Sequence, residues 1–116
     1  MSQQIKLTEG AIEREVAPIT PAKVEAGEPV AWTENFYTSD DGKYFTGLWG
    51  SSPGKWRMTY SEEETCTLLE GVVVLTGKDG VAHTYHAGDS FVIPRGFDGT
   101  WETVETCKKV YAIYER

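Results

Sequence analysis

Short runs of apolar and β-branched residues alternate with turn-forming residues along the chain from about residue 31 onward. The turns are rich in glycine, aspartate and serine, as at residues 39–42 and 77–80. Such alternation between turn residues is typical of strands that bury one face. The pattern predicts strands at residues 32–38, 44–50, 56–60, 66–69, 72–76, 82–85, 90–93, 100–105 and 108–114.

These strands, with no convincing helix among them, indicate an all-β protein. Many short strands at this spacing occur in sandwiches and barrels, and a double-sheet jelly roll accounts for their number best. Alternate residues of each strand then line a common inner surface. Residues 31–116 are therefore expected to form one β-barrel domain. Residues 1–30, which prolines and glycine interrupt, are expected to form an irregular N-terminal arm.

The composition fits one folded domain and argues against several kinds of partner. A chain of 116 residues buries roughly two-thirds of its unfolded surface, and 40% of its residues are hydrophobic. The net charge of −7, without a basic stripe, argues against a nucleic-acid partner. No apolar run is long enough to cross a membrane. Cys66 and Cys107 lack zinc-type or redox-type spacing, so we expect two reduced core residues of a cytoplasmic protein.

Two stretches, residues 54–71 and 88–99, carry the glycine and proline spacing of a known pair of motifs. They resemble the paired motifs of the cupin superfamily, and the likeness extends over residues 32–114. The letters GTWE at residues 99–102 resemble one branch in particular. That branch is the small single-domain cupins grouped with the ethanolamine-utilisation EutQ protein and with the cupin domains of (S)-ureidoglycine aminohydrolase. The resemblance implies an RmlC-like jelly roll, or double-stranded β-helix, with its site inside the barrel.

Cupins of this kind hold a divalent metal with two histidines, a glutamate and a third histidine. The matching positions in this chain carry Met58, Tyr60, Glu64 and Gly99. A thioether and a neutral phenol are poor ligands for such ions, and a lone carboxylate cannot hold one against water. We therefore expect no metal and no cofactor at this place.

The other charged and titratable residues near the motifs are expected to face solvent. His83 lies on the predicted strand at residues 82–85 and His86 comes just after it, three residues further on, so strand geometry points them to opposite faces and they are not a pair of ligands. Arg57 is out of register with the inward residues, and Arg95 lies in a turn. Glu62 and Glu63 are expected to lie in a solvated loop.

The inward positions that remain are largely aromatic. By the parity of the first motif Trp56, Met58 and Tyr60 face the same side, and Trp101 shares a side with Gly99. Trp49 and Phe45 join them if their strand has the same parity. Gly99 is expected to leave space where an imidazole would sit, which favours a cavity. The candidate ligand-binding residues are Trp49, Trp56, Met58, Tyr60, Glu64, Gly99 and Trp101. The alternative is that these rings fill a packed core.

Glu64, with Tyr60, is the candidate for acid–base catalysis. A carboxyl group in an apolar barrel is expected to have a raised pKa, which would suit a general acid or base near neutral pH. The alternative is structural: Glu64 would only accept hydrogen bonds from Tyr60 or a backbone amide.

Three hypotheses for function follow. The first is a cupin that binds a small polar metabolite without the usual metal, and the resemblance implies a nitrogen compound such as a ureide or an ethanolamine-related molecule. The second is a metal-independent enzyme that uses Glu64 as acid or base on a small ureide-like substrate. The third is a structural or regulatory module. The resemblance also implies a homodimer, with the N-terminal arm crossing to the partner.

Overall fold

The structure is a computed structural model that describes residues 3–116. Within that range nine strands and one short 3₁₀ turn, Pro21–Lys23, form the fold. The strands are β1 Glu15–Pro18, β2 Val24–Ala26, β3 Val30–Thr38, β4 Tyr44–Ser51, β5 Gly54–Thr59, β6 Glu63–Gly77, β7 Ala82–His86, β8 Ser90–Ile93 and β9 Asp98–Tyr114. No helix in the described part of the chain is long and apolar enough to span a membrane.

Two long strands, β6 and β9, run through both walls of the barrel. The first half of β9 pairs with β5 and with the second half of β6, which also pairs with β7, while β2 adds to β5. The second half of β9 pairs with β4 and with the first half of β6, which also pairs with β8, while β3 and β1 extend β4. All these pairs are antiparallel. The expectation of an all-β double-sheet jelly roll is therefore confirmed.

Gly71 marks the bend at which β6 passes from one wall to the other. Its φ is +91°, and a Cβ atom there would lie 2.7 Å from the Cα of Cys107 and from the carbonyl oxygen of Glu105. Both the backbone angle and the close approach require glycine. The register with β9 shifts on either side of this residue. The sequence pattern predicted two separate strands here, but the chain continues through the bend as one.

The core lies between the two walls and consists of inward residues from the long strands and their neighbours. Its buried hydrophobic members are Trp56, Cys66, Leu68, Val73, Leu75, Phe91, Ile93, Trp101 and Cys107. Both cysteines are buried and free, as the sequence analysis expected. Phe91 stacks on Tyr85 with ring centroids 3.9 Å apart, which closes one end of the core.

The N-terminal arm is more regular than expected. Of its residues, Met1 and Ser2 lie outside the described part of the chain. The expectation of an irregular segment is wrong for residues 15–18 and 24–26, because β1 pairs with β3 and β2 pairs with β5. Pro18 is tolerated in β1 because it ends an edge strand, where no partner needs its missing N–H.

Ahead of β1, the arm is held to the outer side of the barrel by a buried charge. The Glu34 carboxylate, only 1% exposed, accepts a hydrogen bond from Arg14 Nε at 3.2 Å and another from the Gly10 amide. The Arg14 guanidinium also lies 3.7 Å from the ring centroid of Trp32. These contacts fix the position of the part of the arm that has no regular secondary structure.

Candidate ligand-binding site

A cavity of about 350 Å³ lies among the inward residues of β4, β5, β6 and β9. Six of the predicted site residues line it, namely Trp49, Trp56, Met58, Tyr60, Glu64 and Trp101. The other lining residues are Ile19, Thr33, Phe45, Glu62, Lys109, Tyr111 and Ile113. The volume lies at the lower end of the range usual for small-molecule sites.

Three tryptophans form one wall of the cavity. The ring centroid of Trp49 lies 6.2 Å from that of Trp56 and 5.4 Å from that of Trp101, the latter pair edge to face. Trp56 and Trp101 stand roughly parallel, with an interplanar angle of 26°. The strand register explains the cluster, because Trp56 and Trp101 are direct partners on β5 and β9. Phe45 also lines the cavity, which confirms the parity expected for β4.

A buried ion pair lies beside the tryptophans in the same cavity. Lys109 Nζ lies 2.9 Å from Glu64 Oε2, and the two side chains are only 6% and 3% exposed. Tyr60 Oη donates a hydrogen bond of 2.6 Å to the other carboxylate oxygen. The ammonium also donates to Cys66 Sγ at 3.5 Å, and it lies 4.5 Å from the ring centroid of Trp101. Each charge of the pair therefore has one further hydrogen-bonding partner, Tyr60 for Glu64 and Cys66 for Lys109, inside an otherwise mostly apolar cavity.

This pair reverses the pKa expected for Glu64. Burial raises the pKa of the carboxyl group, but the charge of Lys109 and hydrogen bonds from Lys109 and Tyr60 outweigh burial, so the pKa lies below its usual value. Burial lowers the pKa of Lys109, yet the attraction of Glu64 raises it above its usual value. The expectation of a raised pKa for Glu64 is wrong. Glu64 is an anion at neutral pH.

Two neighbours of the pair are held in their neutral forms. Burial and the Glu64 charge raise the pKa of the Tyr60 hydroxyl far above its usual value. Burial, which outweighs the opposing charge of Lys109, raises the pKa of the Cys66 thiol to about 12. Tyr60 and Cys66 therefore act as hydrogen-bonding groups at neutral pH, and Cys66 is a poor nucleophile.

Lys109 is the principal site residue that the sequence analysis missed. It lies next to Lys108, and a pair of lysines ordinarily faces solvent. The available signal was strand parity, since Lys109 shares its side of β9 with Cys107 and Tyr111, both of which are buried. A lysine between two inward hydrophobic positions is itself inward, and a buried ammonium needs a nearby anion to offset its lost hydration. Glu64 is that anion.

Gly99 does not line the cavity, and the expectation that it opens space there is wrong. It is buried, and a Cβ atom at this position would collide with the carbonyl oxygen of Thr76 on β6 and lie 2.9 Å from the Phe97 ring. Backbone and ring fill the volume that an imidazole would need. Glycine is present at 99 because β6 and β9 approach closely at this point.

The chain matches a family model over residues 38–111, and that model describes the EutQ-like cupin domain. The chain belongs to the EutQ-like cupin family.

Several solved structures share the fold of this chain. A protein of unknown function from Pseudomonas syringae pv. tomato, of the DUF861 family, superposes with a TM-score of 0.80 at 23% identity, covering 90% of this chain and 45% of that one. The Clostridium difficile EutQ protein superposes with a TM-score of 0.67 at 17% identity, covering 74% of this chain and 63% of that one. A DUF861 family protein from Thermotoga maritima is 31% identical, with a TM-score of 0.54 and coverage of 55% and 73%. This EutQ-like cupin thus spans less than two-thirds of the first two proteins. No curated protein matches it.

The divalent metal that the cupin superfamily implies does not fit the residues of this EutQ-like cupin. Of the four matching positions only Glu64 offers a strong ligand, and its carboxylate already faces the ammonium of Lys109. Within residues 3–116, no three histidine, cysteine, aspartate or glutamate side chains lie close enough together to hold a metal ion. The chain's own cation lies beside the carboxylate that would serve as a metal ligand.

The remaining candidate residues lie at the surface, except for the two glutamates that were expected in a solvated loop. His83, His86 and Arg95 are exposed, and Arg57 forms an exposed ion pair with Asp98 at 3.3 Å. Glu63 is half-buried as the first residue of β6, and Glu62 is half-buried and lines the cavity. Burial, together with repulsion from Glu115 and Glu64, raises the pKa of its carboxyl group.

Proposed function

We propose that this cupin binds a small, neutral, nitrogen-containing molecule in the aromatic cavity, without a metal. The observation that carries the proposal is the almost fully buried Glu64–Lys109 pair. It lies on the wall of an otherwise mostly apolar cavity of about 350 Å³. A few polar groups that converge on an apolar pocket are what fixes the orientation of a small ligand.

The hydrogen-bonding capacity of the pair points to the chemistry of the ligand. The Lys109 ammonium has three protons, and Glu64 and Cys66 accept two of them. The Glu64 carboxylate has about four acceptor sites, and Tyr60 and Lys109 use two. One donor and further acceptor sites therefore stand side by side. An amide or ureido group matches them, because its carbonyl accepts from Lys109 while its N–H groups donate to Glu64.

The charge of the site favours a neutral ligand over a charged one. Glu64 and Lys109 compensate one another, so an ionic ligand would gain no free counter-charge from this pair in return for its lost hydration. A cation would also meet the Lys109 ammonium, which already lies near the faces of Trp49 and Trp101. A flat amide or ureide can lie against the same tryptophan wall at no such cost. The resemblance to ureidoglycine aminohydrolase cupin domains supports the same class.

Catalysis with Glu64 as acid or base is the weaker alternative. An ionised carboxylate can accept a proton, but the Lys109 charge that lowers its pKa also lowers its strength as a base. A purely structural barrel is also less favoured, because a filled core would leave no cavity beside Glu64. Binding needs only the groups and the space that the structure contains.

A ligand screen by thermal denaturation and calorimetry tests the proposal. We expect small ureides and primary amides to raise the melting temperature, because a ligand that binds only the folded state stabilises it by about 2.7 kcal/mol at a hundred times its Kd. Amino alcohols and small carboxylates should raise it less. The double variant Glu64→Gln/Lys109→Met keeps the volume of the site and should lose the effect. Glu63→Gln, which alters an exposed pair with Arg116, should keep it.

Two outcomes would overturn the proposal. One is that no ureide or amide raises the melting temperature of the unaltered protein. The other is that these compounds stabilise the double variant as much as the unaltered protein, which would place binding elsewhere.

A further inference from the structure

Residues 19–29 form a loop whose two ends meet at the edge of one wall of the barrel. The Ile19 amide donates a hydrogen bond of 3.0 Å to the carbonyl oxygen of Pro29, and Pro18 pairs with Val30 where β1 meets β3. A surface loop with joined ends is an Ω-loop, a form that is frequently functional. The base of this loop is thereby fixed to the wall that contains β3 and β4.

The tip of the same loop reaches across to the other wall. Within the loop, β2 pairs with β5, so that Val24 lies opposite Trp56 and Ala26 opposite Lys55. Because β5 belongs to the wall formed with the first half of β9, the loop spans the open side of the barrel. Its base and its tip are held by different walls of the barrel.

The loop covers the cavity described above. Ile19 lines that cavity, and Val24 packs against the core. A second cavity of about 340 Å³ is lined by residues of the loop and of β1, and it shares five lining residues with the first. They are Ile19, Thr33, Trp56, Met58 and Tyr60. The two cavities are therefore neighbours, and Trp56, which lines both and lies opposite Val24 of the loop, is only 4% exposed with the loop in place.

The tip is held more weakly than the base. β2 has three residues, its register with β5 shifts between Val24 and Ala26, and Glu25 and Ala26 are exposed. The base has four successive paired residues on β3, followed by the Ile19–Pro29 hydrogen bond. All four residues of β1 are exposed as well, so the number of paired residues and not burial distinguishes the base from the tip. The shorter and irregular pairing of β2 opens at the smaller cost in free energy, and opening therefore begins at the tip.

We propose that residues 19–29 are a lid that pivots at Ile19 and Pro29 and uncovers the cavity when β2 separates from β5. As a gate for ligand entry the lid rests on the proposed function. Its opening is a property of the chain alone, so it can be measured without any ligand.

A reversible disulfide at the tip tests the lid. Ala26→Cys/Lys55→Cys joins β2 to β5, while the matched control Ala17→Cys/Ala31→Cys joins β1 to β3 at the base, where both pairs are register partners. Each is made in a Trp32→Phe background, which leaves only the three cavity tryptophans to fluoresce. The measurement is quenching of their fluorescence by acrylamide, in oxidised and reduced protein.

We expect oxidation of the tip pair to lower the quenching constant at least about twofold, since the lid can no longer open locally, and oxidation of the base pair to leave it unchanged. Equal constants in both states of the tip pair, with the disulfide verified by mass, would overturn the lid. Hydrogen exchange on the unaltered protein is the second measurement: residues 19–29 should exchange faster than β6 and β9, and equal rates would also overturn it.

A final measurement, of the rate at which a ligand associates, separates the lid from the proposed function. If a ureide binds, the oxidised tip pair should slow its association and the base pair should not. If no compound binds but quenching responds to the tip disulfide, the proposed function fails and the lid stands. If a compound binds at the same rate in all forms and quenching does not respond, the lid fails and the proposed function stands.

Discussion

Lys109 Nζ lies 2.9 Å from Glu64 Oε2 inside the barrel, and both side chains are almost completely buried. Taking two charges out of water is costly, and the cost is offset only where the geometry is good and the remaining hydrogen-bonding sites are satisfied. Here Tyr60 and Cys66 satisfy one further site of each partner, and one ammonium proton and further carboxylate acceptor sites remain for a ligand. The pair therefore provides a fixed polar anchor in an apolar cavity, which is the basis of the proposed binding function.

The lowered pKa of Glu64 makes part of the stability depend on pH. Its contribution is present in full above the ordinary carboxyl pKa of about 4.3 and is lost as the pH falls through the lower pKa of the folded state. The difference in unfolding free energy between the unaltered protein and Glu64→Gln should therefore shrink as the pH falls below about 4.3. Chemical denaturation at a series of acidic pH values measures it.

Glu62 provides a control of opposite sign for that series. Its pKa is raised, so its carboxylate opposes folding above the ordinary pKa and this penalty disappears on protonation. Glu62→Gln should be more stable than the unaltered protein at neutral pH, and the gain should decrease in acid. A pH-independent difference for both variants would contradict the assigned charge states.

Gly99 is required by packing in this account. Gly99→Ala would force a methyl group against the Thr76 carbonyl oxygen and the Phe97 ring, and we expect a loss of about 1–3 kcal/mol in unfolding free energy. The matched control is its cross-strand partner Gly77, where an added Cβ would meet only the end of the Asp79 side chain, at 3.1 Å. Equal stability of the two alanine variants in urea denaturation would contradict the assignment.

The arm ahead of β1 should be anchored chiefly by the buried Glu34. Arg14→Met would leave that carboxylate without its guanidinium partner, and we expect a clear fall in melting temperature. Arg57→Met breaks an exposed pair with Asp98 and should change the melting temperature little. If the two variants melt alike, the arm is not held by this charge.

Most of the barrel could be predicted because its strands are bounded by turn residues and alternate with period two. The continuity of β6 through Gly71 could not, since a glycine flanked by strands indicates a turn as readily as a bend. The two strands of the arm were missed because Pro18 and nearby prolines are typical of irregular chain. Their pairing depends on edges of the barrel that only the tertiary fold supplies.

The site could be predicted as far as strand parity reaches. Parity placed Trp56, Met58 and Tyr60 together, and the structure brings them to one cavity. It failed at Gly99, where a missing side chain was taken as space although neighbouring backbone fills it. It was not applied to Lys109, because a charged residue is ordinarily exposed unless a partner from another strand neutralises it. Because Lys109 was not placed beside Glu64, the pKa of Glu64 was expected to be raised when it is lowered.

A double-mutant cycle on Lys109 and Glu64 tests the central claim most directly. Lys109→Met leaves a buried carboxylate without its cation and should cost about 3–5 kcal/mol in urea denaturation. Adding Glu64→Gln should recover most of that loss, so that the two changes are strongly non-additive. Lys78→Met, at an exposed position, should change stability little in either background. Additive effects of the two substitutions would contradict the buried pair.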